Sequence, residues 1–498
     1  MRGELLAAVL LLVGCRLDLD QCRVPGACAS RDAAADAPAD AASADAGVDA
    51  AEDCRGADDG DECSAGAGRC LDERCCTGCV DGGNCIEPAA TTDDSCGVGG
   101  QACAPCVAPL GSCQAGICRA TTPLSRISVG GRSACAVAED GALYCWGQNF
   151  DTGSPGAAVC PACLGADPDP ACLERVSGCG CERGVKTPPR RIVEGPFADV
   201  QLASASIEGG AALGRDGRLH FWGDNGRFVL SPLTPDSEAT VCLPEAAAEP
   251  RRYENLGFGF NAACAVDTTS ALYCWGNSQP ALGGNRRTEA TLIVVPEAPE
   301  RVAASGGHVC FVSVRGDLYC RGSNASGQVA PDCGDECAVW QRIGARWVEV
   351  DVGSGFTCGL REEGTRTGLY CWGGGPEGQL GLGEVRSLPA PTEELDAERD
   401  WGFLDVGREH ACALTVDGEA FCWGNNDRAQ CGALDPDAVD RPNAITQPEP
   451  FVAIAAGNRV SCAIGRSGLA YCWGTNEFEQ LGPDRSLSPA PLPIVLED

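Results

Sequence analysis

Residues 407–424 read GREHACALTVDGEAFCWG, and this stretch contains the signals that determine the fold. Two short segments rich in small apolar residues flank a polar turn that ends at Gly418. Such segments around a glycine-ending turn are typical of a β-hairpin. Cys412 and Cys422 are ten residues apart, so they would face each other across the paired strands, within disulfide reach. The stretch therefore predicts an antiparallel hairpin with facing cysteines.

The same pattern occurs seven times between residues 121 and 498. Each copy ends its second strand with an aromatic or cationic residue followed by glycine. A period of about 50 residues indicates an array of repeated supersecondary units rather than several unrelated domains. The repeated position is occupied in chain order by Trp146, Trp222, Trp275, Arg321, Trp372, Trp423 and Trp473.

Three further features give the repeat its character: a Tyr-Cys-Trp-Gly ending, a following Gln-Leu-Gly, and the histidine of a Gly-x-x-His segment, which is kept only at His308 and His410. The pattern resembles the regulator-of-chromosome-condensation repeat, whose family folds as a seven-bladed β-propeller. The resemblance implies an all-β protein with a propeller over residues 121–498. It also implies, as an alternative function, the nucleotide exchange on a small GTPase that eukaryotic members of the family perform.

Paired cysteines in six of the seven units predict one disulfide within each hairpin. In the fifth unit the partners are 13 residues apart, because residues near Thr365 lengthen the turn. The second unit has Ala211 and Phe221 at the two positions, and loss of both together is what a bonded pair predicts. The alternative is that these cysteines are small buried apolar residues. The predicted pairs are Cys135 with Cys145, Cys264 with Cys274, Cys310 with Cys320, Cys358 with Cys371, Cys412 with Cys422, and Cys462 with Cys472.

The midpoints of these pairs predict three-residue hairpin loops whose last residue is left-handed. Glycine occupies that place in most units, whereas the third unit has Ser270, which we expect to be strained. The tryptophan after each second cysteine points to the opposite face of its strand, so it should pack against the neighbouring blade. These blade-packing residues are Trp146, Trp222, Trp275, Trp372, Trp423 and Trp473.

Two further expectations concern the ends of the repeats. Units two to seven open with a proline-led segment, whereas the first copy begins abruptly at Ile127. Residues 491–495 resemble the missing segment, so we expect the C-terminal strand to complete the first blade and remove the open edge. Cys431 stands where Leu380 and Leu481 stand in sister units, and we expect it to be a buried free thiol.

The N-terminus predicts export. Residues 1–14 combine Arg2 with a nine-residue apolar stretch, as in a signal peptide. The following Leu-Val-Gly-Cys resembles the lipobox of bacterial lipoproteins, which implies acylation of Cys15 and a place in the cell envelope. Arg16, by resemblance to enterobacterial sorting, favours the outer membrane, on its periplasmic or surface side. The alternative is an ordinary secretory signal with an incidental cysteine.

Two segments separate this signal from the repeats. Residues 15–53 are rich in alanine and aspartate, and like charges every four or five positions oppose a helix, so we expect a flexible tether. Residues 54–120 hold 12 cysteines but almost no large apolar residues, which predicts a small disulfide-rich module. Zinc is the alternative, since Cys-x2-Cys motifs begin at Cys76 and Cys103.

Composition argues against several functions. A net charge of -33 repels phosphate backbones, so nucleic acid is not an expected partner. No apolar run reaches the roughly 20 residues of a membrane-spanning helix. Lys186 is the only lysine, no phosphate-binding loop is present, and the three histidines lack a metal-ligand spacing. The sequence therefore predicts no catalytic residue, no cofactor and no metal.

Insertions indicate where a partner would bind. Residues 154–188, 231–249 and 331–340 all fall in the same connection of the repeat, hence on one face of the propeller. Loops on one face of a repeat array often serve recognition, although tolerated surface decoration is the alternative. We therefore expect a monomeric, membrane-anchored, extracytoplasmic propeller that binds a protein or surface ligand there without catalysis. The alternatives are the family's exchange activity and an undetected enzyme site in the central channel.

Overall fold

The computed structural model describes residues 117–148 and 186–496, with short strands between 69 and 114. Within those ranges it leaves out residues 194, 196, 203–208, 225–239, 248–249, 260, 278, 283–286, 306, 395–397, 436 and 484. The expected signal peptide, the acylated Cys15, the tether and the side chains of the cysteine-rich module lie outside the described residues. The chain divides into two units, Met1–Cys75 and Cys76–Asp498. Among the described residues, no helix has the length and apolar character needed to cross a bilayer.

The cysteine-rich segment contains short strands in three small sheets. One sheet pairs β1 with β2, the second has the order β4-β3-β5, and the third pairs β6 with β7. These strands are β1 (Arg69–Leu71), β2 (Arg74–Cys76), β3 (Cys79–Asp81), β4 (Asn84–Ile86), β5 (Gln101–Ala102), β6 (Leu110–Gln114) and β7 (Ile117–Ala120).

Seven four-stranded antiparallel sheets follow, and in each of them consecutive strands pair in sequence order. This arrangement confirms the predicted all-β, seven-bladed propeller. Blade 1 comprises β8 (Leu124–Val129), β9 (Ser133–Ala138), β10 (Leu143–Gln148) and β11 (Lys186–Val193). Blade 2 comprises β12 (Phe197–Leu202), β13 (Gly209–Gly214), β14 (Leu219–Asp224) and β15 (Thr240–Ala246). Blade 3 comprises β16 (Tyr253–Phe258), β17 (Ala262–Asp267), β18 (Leu272–Gly276), the short helix α1 (Gln279–Leu282) and β19 (Arg287–Ile293).

The other four blades repeat this plan. Blade 4 comprises β20 (Pro299–Ala304), β21 (His308–Ser313), β22 (Leu318–Ser323) and β23 (Glu336–Gly344). Blade 5 comprises β24 (Trp347–Val352), β25 (Phe356–Glu363), β26 (Arg366–Gly373) and β27 (Leu388–Glu393). Blade 6 comprises β28 (Trp401–Val406), β29 (His410–Thr415), β30 (Ala420–Asn425) and β31 (Ala438–Ala444). Blade 7 comprises β32 (Phe451–Ala456), β33 (Val460–Gly465), β34 (Ala470–Gly474) and β35 (Ser488–Pro493).

The second and third strands of each blade form the hairpin on which the sequence argument rests. In blade 6 the register sets Cys412 opposite Cys422, with their Cα atoms 4.1 Å apart, slightly closer than an ordinary facing pair. The loop glycines are left-handed, with φ of 92° at Gly141 and 88° at Gly418. Ser270 takes the same conformation, with φ of 59°, as expected. A three-residue turn therefore fixes the register that brings five of the six cysteine pairs together, whereas in blade 5 the paired Glu363 and Arg366 flank a two-residue turn.

The glycine after the repeated tryptophan is required by the backbone. Its φ is positive in all seven blades, and a Cβ atom at Gly147 would collide with the carbonyl oxygen of Arg132. At the same place the pairing between the third and fourth strands changes register, as it does in blades 1 and 6. The Trp-Gly dipeptide thus marks where the third strand bends close to the start of the second.

Neighbouring blades pack through the repeated tryptophans, which are all fully buried. The indole Nε1 of Trp146 donates to the carbonyl of Gln480 in blade 7 at 2.8 Å. In the same way Trp423 and Trp473 donate to the preceding blade's glutamine, Gln379 and Gln430 respectively. The cysteine pair that joins the second and third strands of one blade lies in the same apolar cluster as the repeated tryptophan of the next blade. Cys358 and Cys371 of blade 5, for example, share a cluster with Trp423 of blade 6.

The ring closes differently from the sequence expectation. Strand β35 pairs with β34 and completes blade 7, whereas blade 1 is built entirely from β8 to β11. The expected exchange of the C-terminal strand into the first blade is therefore wrong. Pro123 supplies the proline-led opening of blade 1, directly before Leu124, just as Pro450 precedes Phe451. Because that segment was present all along, blade 1 has no missing strand to fill.

Blades 7 and 1 join through the same contacts as other neighbours. The amide of Leu124 donates to the carbonyl of Gly468 at 2.9 Å, and Phe451 makes the equivalent bond to Gly418. An additional bond runs from the Ala120 amide to the Ser467 carbonyl. Closure thus depends on packing and backbone hydrogen bonds between two complete blades.

Candidate functional site

The predicted bounds of the insertions were too wide, because residues 186–188, 240–246 and 336–340 belong to the fourth strands of their blades. The connections from the third to the fourth strands do share one face, here called the insertion face. Residues 154–185 and 231–239 lie outside the described residues. The described loop of blade 4 is closed by Asn324, whose Nδ2 donates to the carbonyls of Ala330 and Gly334 at 2.8 and 2.7 Å. Cys333 and Cys337 are paired in this loop, with their Cα atoms 5.2 Å apart. The insertion face therefore has an ordered framework, at least in blade 4.

The same asparagine closure recurs in two loops without a disulfide. Asn426 donates to the carbonyl of Ala433 at 2.9 Å in blade 6, and Asn476 donates to Gly482 at 2.9 Å in blade 7. An asparagine side chain can both donate to carbonyls and accept from amides, so one residue satisfies several backbone groups of a loop. The asparagine that follows the repeated Trp-Gly is the sequence signal for these ordered connections.

The first strands of neighbouring blades contact each other around the central channel. Side chains on these strands accept hydrogen bonds from backbone amides of the next blade. These bonds join Ser128 to Leu202 (3.0 Å), Gln201 to Phe258 (3.0 Å), Asn255 to Val302 (2.8 Å), Asp351 to Val406 (2.7 Å) and Asp405 to Ala456 (2.6 Å). Five of the seven blade interfaces are thus latched at the channel wall.

Two of these latches are carboxylates that stand close together. Asp351 accepts from the amide of Val406, the residue next to Asp405, and also from its own neighbour Val352 at 2.8 Å. Burial raises the pKa of Asp351 to about 7, against the opposing effect of the two amides. Burial and the charge of Asp351 raise the pKa of Asp405 well above its usual range, with smaller contributions from Glu349 and Asp199. The channel wall therefore holds two neighbouring carboxyl groups whose pKa values are both raised.

The two repeat histidines serve the blade interfaces. His410 Nε2 lies 2.9 Å from the hydroxyl of Ser461 in blade 7, and that hydroxyl donates to the carbonyl of Gln430 at 2.9 Å. Because the hydroxyl gives its proton to the carbonyl, His410 must donate from Nε2. His308 makes the equivalent contact with Thr357 at 2.8 Å. Burial lowers the pKa of each histidine to about 3, so both are neutral structural groups.

The structure places the six predicted cysteine pairs at bonding distance within their hairpins, each at most 2% exposed. Cys431 is buried and unpaired among the described residues, and burial raises its thiol pKa. Its Sγ donates to the carbonyl of Asn425 at 3.3 Å. Among the described residues, no group of three or more His, Cys, Asp or Glu is arranged to hold a metal ion.

The geometry defines a class of protein: a closed propeller whose seven blades each come from one sequence repeat. The model of the Regulator of chromosome condensation (RCC1) repeat matches residues 125–151, 347–379, 404–430 and 451–480. These matches identify RCC1 repeats in blades 1, 5, 6 and 7, and the seven-bladed fold continues the same four-stranded plan through the other three blades.

Known relatives cover only part of this chain. Human E3 ubiquitin-protein ligase HERC2 is 28% identical over 261 residues, which cover 49% of this chain and 5% of the human protein. Protein pim1 of Schizosaccharomyces pombe is 25% identical over 284 residues, 50% of this chain and 49% of pim1. The chain thus spans less than half the length of either relative.

A solved structure has the same fold over most of the propeller. Prp20p from Saccharomyces cerevisiae superposes with a TM-score of 0.57 at 19% identity, covering 76% of this chain and 87% of Prp20p. The likeness supports the seven-bladed architecture. The chain is therefore a seven-bladed propeller that contains RCC1 repeats.

Proposed function

We propose that this protein is a lipid-anchored propeller displayed outside the cytoplasm, where it binds a protein partner through the insertion face without catalysing a reaction. The observation that carries the proposal is the set of six cysteine pairs, each facing across its own hairpin and each fully buried. Disulfides form and persist in oxidising compartments. The expected acylation of Cys15 would keep the scaffold at the membrane.

The insertion face supports binding because its connections are long yet ordered where they are described. Residues Asp332, Asp335 and Glu336 project from the blade 4 loop and are exposed. Loops positioned by a rigid framework commonly carry recognition. The yeast Prp20p structure was described together with binding to Gsp1p and histones, so a propeller of this architecture does take protein partners.

Capture from intact cells tests the proposal. The mature chain serves as bait with two variants of equal charge change, one on each face. The insertion-face variant is Asp332→Asn, Asp335→Asn and Glu336→Gln. The opposite face carries the turns between the second and third strands and is here called the hairpin face. Its variant is Glu139→Gln, Glu362→Gln and Asp417→Asn. We expect an envelope protein that the first variant captures less well and the second retains. Loss only in the hairpin-face variant, or a cytoplasmic GTPase as the single partner, would contradict the proposal.

The anchor is tested separately by cell fractionation. Replacing Cys15 with serine removes the acyl acceptor, so the protein should move from the membrane fraction to the soluble fraction. Cys431→Ser is the matched control, because that thiol is buried in blade 6 and should leave the distribution unchanged. A Cys15→Ser protein that stays in the membrane fraction would refute the anchor.

One observation favours a second candidate, acid–base chemistry in the central channel. Asp351 and Asp405 are adjacent carboxylates with raised pKa values, as general acids often are. Incubation of cell extract with the wild-type protein or with Asp351→Asn, followed by metabolite profiling, tests this candidate. A compound consumed by the wild type alone would support it, and identical profiles would remove it.

A further inference from the structure

Two arginine side chains converge at the interface between blades 3 and 4. Arg321 donates from Nε to the carbonyl of Ala281 at 2.8 Å. Arg287 donates from Nε and Nη2 to the next carbonyl, that of Leu282, at 3.2 and 3.0 Å. Because these carbonyls belong to consecutive residues of α1, the two guanidinium groups are held side by side.

Arg321 occupies the place of the repeated tryptophan. In blades 1, 6 and 7 the indole makes this bond to the preceding blade, as Trp146 does to Gln480. An indole satisfies the carbonyl with one donor and no charge, whereas arginine brings a cation and five N–H donors. The substitution therefore adds recognition capacity that the interface itself does not use.

Neither arginine is neutralised by the described part of the chain. No described carboxylate lies within ion-pairing distance of Arg287 or Arg321, and their hydrogen bonds leave both Nη groups of Arg321 and Nη1 of Arg287 without an acceptor there. Other arginines of the blades do have acidic partners, as Arg342 has Asp317 at 2.8 Å. Two adjacent cations with no anion among the described residues beside them are an unusual feature in a chain of net charge -33.

Trp340 fixes the orientation of Arg321. The Cζ atom of Arg321 lies 5.0 Å from the centroid of the Trp340 ring, and that ring packs edge-on against Phe311 at 4.9 Å. A guanidinium stacked on an indole loses little further freedom when it binds a ligand. Burial, and then the charge of Arg287, lower the pKa of Arg321, so the pair is held together at an electrostatic cost that an anion would relieve.

From this geometry we infer that Arg287 and Arg321 form an oxyanion-binding site on the insertion face, for a carboxylate or phosphate group. Guanidinium forks match the oxygen spacing of both groups and bind them through paired N–H donors. The site lies between the start of β19 and the end of β22, where both strands reach the insertion face. The inference does not depend on the scaffold proposal, since the site would bind a small anion in the absence of any partner.

Isothermal titration calorimetry with the mature full-length chain tests the site. One arm uses inorganic phosphate and the other acetate, with chloride holding the ionic strength constant. We expect saturable one-site binding in at least one arm. Binding of phosphate alone would indicate a phosphate source, and binding of acetate would indicate a carboxylate source.

Three variants give the result its meaning. Arg321→Trp restores the residue of the sister blades, keeps a donor to the Ala281 carbonyl and should abolish binding. Arg287→Gln should weaken binding about tenfold, because one of two charge-assisted contacts is lost. Arg342→Gln, in the same blade but paired with Asp317, should leave binding unchanged. Absence of saturation with both anions, or undiminished binding in Arg321→Trp, would overturn the inference.

Discussion

Asp351 illustrates how one side chain can serve a blade interface and make it depend on pH. Its carboxylate latches blade 5 to the Val406 amide of blade 6, close to Asp405. The unfolded chain loses the Asp351 proton near pH 3.8, whereas the folded chain keeps it to about pH 7. Between these values the folded state binds more protons, so the free energy of unfolding falls as pH rises.

This linkage predicts the effect of Asp351→Asn. The amide keeps an oxygen acceptor for a latch bond and removes the buried charge. We expect the variant to be more stable than the wild type at pH 8, with the difference shrinking towards pH 4, as measured by thermal unfolding. Asp332→Asn, an exposed acid of blade 4, is the control and should show no such trend. A variant less stable than the wild type at pH 8 would contradict the linkage.

Ser461 gives a second prediction for a single residue. Its hydroxyl bridges His410 and the Gln430 carbonyl, and Ser461→Ala would leave a buried histidine N–H without an acceptor. The loss should lower the free energy of unfolding by about 1 to 3 kcal/mol, as measured in urea. Ser461→Thr should restore the stability, because Thr357 of blade 5 holds the equivalent place beside His308 of blade 4. Equal stability of the alanine variant and the wild type would show that the bridge is unimportant.

At this scale the sequence predicted which residues are buried better than it predicted their partners. The repeat positions of His410 and the tryptophans were evident, but the hydroxyls at Thr357 and Ser461 were missed. The sequence did contain a signal for these hydroxyls. A serine or threonine stands directly before the first cysteine of a pair only in blades 5 and 7, and these are the blades that follow His308 and His410. The carboxylate pair was also missed, although Asp351 and Asp405 hold the same place, before Val-Gly, in consecutive repeats; only the packing of blade 5 against blade 6 shows that they are neighbours.

The hairpin is the element that the sequence specified most completely. Cysteine spacing and loop glycines together fixed the strand pair, its register and the left-handed turn, including the strained Ser270. Blade 2 shows how the element manages without cysteines. Phe221 fills the space and packs edge-on against Trp275 of blade 3, with ring centroids 5.8 Å apart. The facing pair and the next blade's tryptophan thus form one packing unit.

Removing the disulfide of one hairpin tests how much that bond stabilises the fold. Cys412→Ala combined with Cys422→Ala should lower the free energy of unfolding by up to about 3 kcal/mol, the chain-entropy value for a small closed loop. The parallel measurement is alkylation of the unfolded, unreduced wild type followed by peptide mass analysis. Within blade 6 it should label Cys431 alone. Labelling of Cys412 or Cys422 would mean that the pair is not oxidised.

For the whole molecule, the sequence predicted the number of blades but not the way the ring closes. The error arose because closure was inferred from a missing segment, while Pro123 and Leu124 already supplied it. What joins blade 7 to blade 1 is the complementarity of two finished sheets, including the Trp146 bond to Gln480. Such complementarity leaves no simple pattern in a single sequence.

Deleting residues 488–498 from the full chain distinguishes the two modes of closure. Because β35 pairs with β34, hydrogen exchange should increase most in Ala470–Gly474, whose amides and carbonyls lose their outer partner. The third strand of blade 1, Leu143–Gln148, keeps β11 beside it and should retain its protection. Greater loss of protection in blade 1 than in blade 7 would favour strand exchange after all.

Local pairing also has a consequence for how such a thiol-rich polypeptide matures. With 36 cysteines, random oxidation would produce a vast number of scrambled isomers. In five blades, however, correct partners are separated by ten positions, so under the proposed export both would enter the oxidising compartment almost together. Each bond can therefore form before the thiols of the next repeat arrive, and vectorial synthesis itself reduces the demand for isomerase correction.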